Sequence, residues 1–147
     1  MKIEQQVLDL LKDYDVSVNL TGSVYICDPA PKDTDTDYLV YFSESTDVVS
    51  DAVDEICALG WTKEGDDAYE TLCETQFCSL RKEKVNLIVT NIKSFVKRHQ
   101  SATAICKKLN LLKKEDRIMV FKAVLYNELS DDMKIENIFK KEVEISK

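Results

Sequence analysis

Two carboxylates stand two residues apart where a loop meets an apolar run. Asp35 and Asp37 flank Thr36, and residues 38–42 read Tyr-Leu-Val-Tyr-Phe, which is typical of a β-strand. Because side chains alternate along a strand, both aspartates are predicted to point to one side of the sheet. Carboxylate oxygens placed in this way can hold a hard divalent cation such as Mg²⁺. The alternative is a solvated, Asp-rich turn before a strand.

A Gly-Ser pair, Gly22 and Ser23, precedes the aspartates, with eleven residues between Ser23 and Asp35. Gly22 lets a phosphate approach the backbone because it has no side chain, and Ser23 can donate its hydroxyl and N–H to a phosphate oxygen. The intervening Asp-Pro-Ala-Pro segment, residues 28–31, predicts a loop. Together the pair and the aspartates indicate a site for a metal-bound phosphate.

The elements that must position these residues follow from the spacing of apolar side chains. In the first half, the sequence predicts a helix at 3–14, strands at 16–20 and 37–42, and a helix from Ser45 or Thr46 to Gly60. A short strand at 61–63, a turn at 64–67 and a hairpin of strands at 76–81 and 85–90 follow. The remaining elements are helices at 92–109 and from 115 to 129, and a last helix from 130. This order predicts an α+β fold in which a small mixed sheet is flanked by helices and the C-terminal third is helical. We expect one domain over residues 1–147, with an α/β core at about 1–92 and a helical extension at about 93–147.

Composition bounds the function classes. The chain has 147 residues, of which 44% are apolar and 32% charged, and its net charge is −7. No apolar run approaches the length of a membrane helix, and acidic residues interrupt the apolar pattern at the N-terminus, so we expect no membrane association and a cytoplasmic location. The net acidity argues against a broad nucleic-acid-binding surface.

The charge is divided unevenly. Residues 1–75 hold 18 acidic and four basic side chains, whereas residues 76–147 hold nine acidic and 16 basic ones. An acidic half that gathers metal and a basic half that faces phosphates is one interpretation, and solvated charge without a task is the other. On the predicted hairpin, Arg81 can reach a phosphate or face solvent. On the helix at 92–109, Lys97 and Ser101 lie four residues apart, opposite the apolar stripe, and are the first candidates for ligand contact.

Five scattered cysteines and one histidine, His99, give little support to other chemistry. No Cys-x-x-Cys pair occurs, so a structural zinc site or a disulfide framework is not expected, and reduced, buried cysteines are the favoured interpretation. A Cys–His nucleophile requires His99 to lie close to a cysteine in the fold. The chain also lacks a Walker A motif, a Gly-x-Gly-x-x-Gly motif and a Ser-His-Asp order.

The strand, Gly22-Ser23, spacer and Asp35-Thr36-Asp37 entering a second strand resemble the signature of the nucleotidyltransferase superfamily, the DNA-polymerase-β-like fold. The resemblance covers residues 16–92, and the string Val-Asn-Leu-Ile-Val-Thr-Asn with the helix after it is similar to small nucleotidyltransferase-like proteins of tailed bacteriophages. It implies transfer of an NMP from an NTP to a protein, an RNA end or a small molecule, with Mg²⁺ (or Mn²⁺) held by Asp35 and Asp37 as the catalytic pair. If the chain is phage-encoded, the implied location is the cytoplasm of the bacterial host.

The third acidic position of this family falls on Asn86. An asparagine can offer a carbonyl oxygen to a metal, but it carries no negative charge and cannot accept a proton from an attacking hydroxyl. Asp28, Asp33 or Glu70 could substitute from a loop. Three hypotheses therefore stay open: an active nucleotidyltransferase, a degenerate one that binds a nucleotide or a partner protein without turnover, and an interaction protein whose acidic surface docks on a basic partner.

Overall fold

The computed structural model describes residues 2–32, 34–64 and 76–126 of the chain. Helices α1 to α5 span Gln5–Leu11, Gly22–Ile26, Thr46–Ala58, Lys93–Lys108 and Lys114–Tyr126, and strands β1 to β5 span Val16–Thr21, Thr36–Phe42, Thr62–Glu64, Cys78–Lys82 and Val85–Thr90. The strands form one five-stranded sheet in the order β1-β2-β5-β4-β3. The β2–β5 pair is parallel and the other three pairs are antiparallel, so the sheet is mixed. The predicted α+β fold, with helices at its C-terminal end, is confirmed.

One face of the sheet carries the main hydrophobic core. Alternate strand residues such as Val40, Phe42 and Leu87 are fully buried there, and they belong to one cluster with the apolar stripes of α1 and α3. Helix α3 begins where the sequence predicts, because the Ser45 hydroxyl accepts a hydrogen bond from the Val48 N–H at 3.4 Å. This hydrophobic core therefore supports the sheet from one side, beneath its opposite face.

The opposite face is covered by α2 and α4, both of which pack against β2. Helix α4 turns the residues of its predicted stripe inward, and Phe95, His99, Ala102 and Cys106 are buried. Leu109, directly after the helix, is 62% exposed. Helix α5 buries none of its residues, and its Ile118 is 43% exposed.

Helix α2 was not predicted, because five residues are too few to show a helical period. It follows β1 without a connecting loop and so places Gly22 and Ser23 in the first turn of a helix. The predicted last helix from residue 130 and most of the predicted turn at 64–67 lie outside the described residues. Among the described helices, none is long and apolar enough to cross a membrane.

Candidate nucleotide-binding cleft

Four polar side chains form a row across the second face of the sheet. Asp37 on β2 pairs in register with Thr21 on β1 and with Asn86 on β5, and Asn86 pairs with Arg81 on β4. Residues that are paired in register point to the same face of a sheet. The predicted residues Asp37, Asn86 and Arg81 are thus brought together by strand pairing between distant parts of the chain.

Asp35 precedes β2 and is tied to this row by an ion pair. The Arg81 Nη1 lies 2.5 Å from the Asp35 Oδ2, and the same guanidinium also donates to the carboxylate of Glu64 on β3. The hydrogen bonds that Arg81 donates to Glu64 and Asp35 raise the pKa of Arg81 further above its usual range. Arg81 is consequently a permanent positive charge between two carboxylates. The sequence-based expectation for Arg81 was contact with a phosphate or with solvent, and its partners here are carboxylates.

Asp37 is less well compensated than Asp35. Its Oδ1 accepts a hydrogen bond from the Asn86 Nδ2 at 3.2 Å, and the described residues include no basic side chain that pairs with it. Burial raises the pKa of Asp37, the bond from Asn86 opposes that effect, and the nearby Asp35 charge adds to it. Positive charge brought to this carboxylate therefore relieves an existing electrostatic penalty.

The other end of the Asn86 amide is an unsatisfied acceptor. The Asn86 Oδ1 is buried and has no hydrogen-bond partner in the part of the chain that the structure describes. A buried acceptor without a partner is destabilising, and such groups in native proteins commonly mark places where an ion, water or ligand binds. The Asn86 position thus retains a donor atom for a cation even though it lacks the third carboxylate.

Gly22 lies against Asp37 so closely that only glycine fits. Its φ is +71°, and a Cβ built on it would lie 2.1 Å from the Asp37 Oδ2, far inside van der Waals contact. Any side chain at this position must displace the carboxylate. The Gly-Ser pair and the second aspartate of the motif are therefore parts of a single packed arrangement.

These residues line a cleft of about 350 Å³ between the sheet edge, α2 and α5. Its lining comprises Gly22, Ser23, Ile26, Thr34, Asp35, Asp37, Arg81, Lys114, Arg117, Ile118 and Phe121. Ser23 and Thr34 share a hydroxyl–hydroxyl hydrogen bond of 3.2 Å at its rim. The cleft thus unites Gly22, Ser23, Asp35, Asp37 and Arg81, and Asn86 supports it from behind Asp37.

Lys114 and Arg117 line the cleft. The sequence predicts them only as two members of a basic side on the late helices, some of whose residues can clamp a triphosphate, and gives them no preference over the others. Arg117 donates to the carbonyl oxygens of Leu111 and Leu112, at 3.0 and 2.8 Å, and so fixes the turn between α4 and α5. Lys114 has no hydrogen-bonded or ion-paired partner among the described residues and is exposed. Their spacing of three residues places them on one face of α5, which was a signal available in the sequence.

The structure does not bring Lys97 and Ser101 to the cleft. Both lie on α4, are exposed and are absent from the cleft lining. Because Phe95, His99 and Ala102 point to the sheet, residues 97 and 101 point away from it. The prediction that these two residues contact the same ligand as Asp35 and Asp37 needs this correction.

No third acidic ligand completes the site within the described ranges. Those ranges contain no group of three or more His, Cys, Asp or Glu side chains placed to hold a metal. Asp28 is described and does not line the cleft, while Asp33 and Glu70 lie outside the described residues. The described ligand set is therefore two carboxylates with the Asn86 carbonyl nearby.

The Cys–His nucleophile is not supported by the described cysteines. His99 packs between the rings of Phe95 and Phe121, and burial lowers its pKa to about 4. Burial raises the pKa of the thiols of Cys57, Cys78 and Cys106, that of Cys78 to about 12. A thiol that resists ionisation is a poor nucleophile. The four described cysteines are free, and Cys73 lies outside the described residues.

A comparison with solved structures finds two that are similar to this chain. One is the conserved protein GrpB from Enterococcus faecalis, with a TM-score of 0.53 and 20% identity over 97% of this chain and 86% of that one. The other is terminal uridylyl transferase 4 from Trypanosoma brucei with bound UTP and UpU, with a TM-score of 0.47 and 15% identity over 71% of this chain. This chain spans 37% of the length of the uridylyl transferase. No protein-family model and no curated protein matches the sequence. The similarity to GrpB shows the fold.

Proposed function

We propose that the cleft binds a nucleoside triphosphate together with a divalent cation and transfers the NMP to an acceptor. The observation that carries the proposal is the arrangement of Asp37, which is half-buried, lacks a basic partner among the described residues and is packed against Gly22. A carboxylate held in this state favours a bound cation. The Gly22-Ser23 pair beside it gives a phosphate access to the backbone.

The available donors fit a hard cation. Asp35 and Asp37 offer carboxylate oxygens, and the unpartnered Oδ1 of Asn86 offers a carbonyl oxygen, which are the ligand types that Mg²⁺ and Mn²⁺ take in proteins. In nucleotidyl transfer such an ion supplies positive charge to the phosphate oxygens on which negative charge develops. The Asn86 substitution leaves the set with one negative charge fewer than a three-carboxylate site.

The remaining cleft residues suit the rest of a triphosphate. Ser23 can donate its hydroxyl once its bond to Thr34 is exchanged, and the exposed ammonium of Lys114 can neutralise a terminal phosphate. Arg81 holds Asp35 in place until the cation competes for that carboxylate. Ile118 and Phe121 supply an apolar wall on the α5 side.

The proposed reaction forms a bond between an acceptor oxygen and the α-phosphorus. The bond from that phosphorus to the oxygen bridging the α- and β-phosphates breaks, and pyrophosphate leaves with the bonding electrons. The acceptor loses its hydroxyl proton to a carboxylate of the cleft or to solvent, because the Asn86 amide cannot accept a proton. The acceptor classes that this chemistry admits are a protein hydroxyl, an RNA end and a small molecule.

The direct test is transfer of label from each of four α-labelled NTPs in the presence of Mg²⁺ or Mn²⁺ and a lysate that supplies acceptors. We expect labelled product and released pyrophosphate with one nucleotide, and loss of both on chelation of the metal. A folded protein that gives neither label transfer nor pyrophosphate under any of these conditions would refute the transferase.

A second candidate function, nucleotide binding without turnover, is favoured by two specific observations. Asn86 stands where the resemblance implies an acidic ligand and donates to Asp37, and Arg81 forms an ion pair with Asp35. This candidate predicts that an NTP stabilises the protein, by about 2.7 kcal/mol at roughly 100 times its Kd, while no pyrophosphate appears. Asn86→Asp separates the two candidates, since it should create turnover in a degenerate site and leave an already active site working.

A further inference from the structure

A second cavity, of about 390 Å³, adjoins the cleft on the same face of the sheet. It lies among β1, α2 and α4 and is lined by Asn19, Leu20, Thr21, Tyr25, Leu39, His99, Gln100, Thr103 and Ala104. Thr21 lines this cavity and the next residue, Gly22, lines the cleft, so the start of α2 borders both spaces.

The lining of this cavity is apolar with hydrogen-bonding groups and without charge. Leu20, Leu39 and Ala104 give apolar walls, and Asn19 and Gln100 bring amide groups. None of its described lining residues carries a charge at neutral pH, because burial keeps the imidazole of His99 neutral. A phosphate or carboxylate would find no cationic side chain in the lining itself, because the nearby Lys107 ammonium lies over the Tyr25 ring and donates to the Tyr25 carbonyl oxygen. The cavity therefore suits a neutral ligand with both apolar and polar surface.

One lining group has an unmet hydrogen bond. His99 is 5% exposed, and its Nδ1 is buried without a partner among the described residues. The backbone carbonyl of His99 is occupied by the Thr103 hydroxyl at 2.9 Å, and that hydroxyl also bonds the Thr21 hydroxyl at 2.9 Å. The threonine pair thus fixes the wall of the cavity to which His99 belongs. A ligand that hydrogen-bonds the imidazole would satisfy a group that the described structure leaves unsatisfied.

Tyr25 offers an aromatic surface that is held in place. Its ring is 39% exposed, and the Lys107 ammonium lies over it, 4.3 Å from the ring centroid. The same ammonium donates to the Tyr25 carbonyl oxygen at 2.8 Å. A fixed aromatic ring beside hydrogen-bonding groups is the combination that proteins use to bind nucleobases, by stacking on the ring and pairing along the polar edge.

We propose that this cavity binds a nucleobase, with the base against Tyr25 and its polar edge toward His99 and Gln100. The choice of a nucleobase over another neutral ring rests on the proposed function of the adjoining cleft, which places a nucleotide next to the cavity. The base belongs either to the NTP itself or to the acceptor. The two sources share the same chemistry and are separated by the experiment.

The probes are adenosine, guanosine, cytidine and uridine, which lack phosphate and do not require Asp35 or Asp37. Because the chain contains one histidine, long-range ¹H–¹⁵N NMR of the full-length protein shows the His99 ring without assignment. We expect one nucleoside to shift the ring nitrogens saturably. Tyr25→Ala should weaken that binding about tenfold or more, as stacking contributions predict. Ala104→Leu, which fills the cavity, should abolish it, and Tyr126→Ala, at a tyrosine 43% exposed outside the cavity, should change nothing.

Competition identifies the source of the base. If an NTP with Mg²⁺ displaces the nucleoside, the cavity holds the base of the NTP; if both bind together, it holds the base of the acceptor, and either result upholds the proposal. It is overturned if no nucleoside shifts the His99 signals, if cyclohexanol binds as tightly as every nucleoside, or if Tyr25→Ala and Ala104→Leu leave the affinity unchanged. Asp37→Asn should keep nucleoside binding while it abolishes transfer, so failure of this cavity and failure of the transferase are distinguishable.

Discussion

Arg81 and Lys82 are neighbours on β4 and place their positive charges on opposite faces of the sheet. The two polar clusters around them differ in how many of their hydrogen-bonding and charged groups are paired. On the α1 side, the Lys82 Nζ lies 3.1 Å from the Glu4 Oε2 and 2.9 Å from the Leu59 carbonyl oxygen. The Trp61 Nε1 donates to the Glu4 Oε1 at 2.7 Å. These bonds, first that from Trp61 and then that from Lys82, lower the pKa of Glu4. The donors and acceptors of this cluster are mutually satisfied.

On the α2 side, Arg81 is divided between Asp35 and Glu64 while Asp37 is left with an amide. Burial raises the pKa of Asp37, and the Asn86 Oδ1 has no partner among the described residues. The same strand thus contributes to one network whose polar groups are paired and to another whose polar groups are only partly paired. This difference supports the proposal that the α2 side is the functional one, because an incompletely paired polar network carries an electrostatic penalty that a ligand can relieve.

The largest contrast is expected in activity. Asp37→Asn should lower label transfer by about a hundredfold or more, since it removes a charge that the reaction needs and keeps the side chain's shape. Glu4→Gln should leave transfer unchanged, because Glu4 belongs to the satisfied cluster on the other face. The measurement is the initial rate of transfer from the α-labelled NTP at saturating metal. Equal losses in the two variants would show that the two networks are not functionally distinct.

The next comparison uses two glycines: Gly22, which lies against Asp37 in the cleft, and Gly60, which lies near Lys82 in the cluster on the α1 side. Gly22→Ala forces a Cβ to within 2.1 Å of the Asp37 Oδ2 at a φ of +71°, whereas at Gly60, with a φ of +97°, the nearest atom is the Lys82 Nζ at 3.5 Å. Gly60→Ala should therefore lower the free energy of unfolding by about 1–2 kcal/mol from backbone strain alone. Gly22→Ala should lower it by about 3 kcal/mol or more, because overpacking adds to the strain.

Urea unfolding of both glycine variants measures the difference. Asp37→Ala removes the carboxylate that the new methyl group meets, so the Gly22→Ala, Asp37→Ala double variant should be more stable than the sum of the two single effects. If the two glycine variants lose equal stability and the double variant shows no coupling, the close packing of Gly22 on Asp37 is wrong.

The sequence predicted the parts of the cleft that depend on local spacing. Asp35, Asp37 and the Gly22-Ser23 pair were found from a short motif, and the resemblance placed Asn86 beside Asp37, as the strand register confirms. Strand and helix types followed from periodicity, except in α2, which is too short to show one. Apart from the Asn86–Asp37 pairing, which came from the resemblance, these features depend on short stretches of sequence and so can be predicted from them.

The remaining cleft residues depend on contacts between distant elements. A lysine that lines a cleft and a lysine on a solvated face have the same local sequence, so Lys114 could not be told from its basic neighbours without the docking of α5. Lys97 and Ser101 were correctly predicted to lie opposite the apolar stripe of α4, and that stripe turned out to face the sheet. The pairing of Arg81 with Asp35 and Glu64 likewise depends on how β3, β4 and β5 are aligned.

The smallest expected difference is in the free energy of unfolding. Removing the carboxylate charge should lower the stability at Glu4 and should not lower it at Asp37. Because the folded pKa of Glu4 is lowered, its contribution is present above its unfolded pKa and is lost as the pH falls through the folded pKa. Glu4→Gln should therefore lower the free energy of unfolding at pH 7 by about 1 kcal/mol, a modest value because the pair is partly exposed.

The folded pKa of Asp37 is raised, so its charge opposes folding above that pKa, and the penalty disappears as the pH falls through it. Asp37→Asn should therefore leave the Tm at pH 7 equal to or above that of the natural sequence, while Glu4→Gln lowers it. Both differences should shrink at acidic pH, where the native carboxyls are protonated. Thermal unfolding of the three proteins between pH 7 and acidic pH measures both signs. A loss of stability in Asp37→Asn comparable to that in Glu4→Gln would mean that Asp37 is already satisfied in the fold, which would remove the electrostatic reason for placing a cation there.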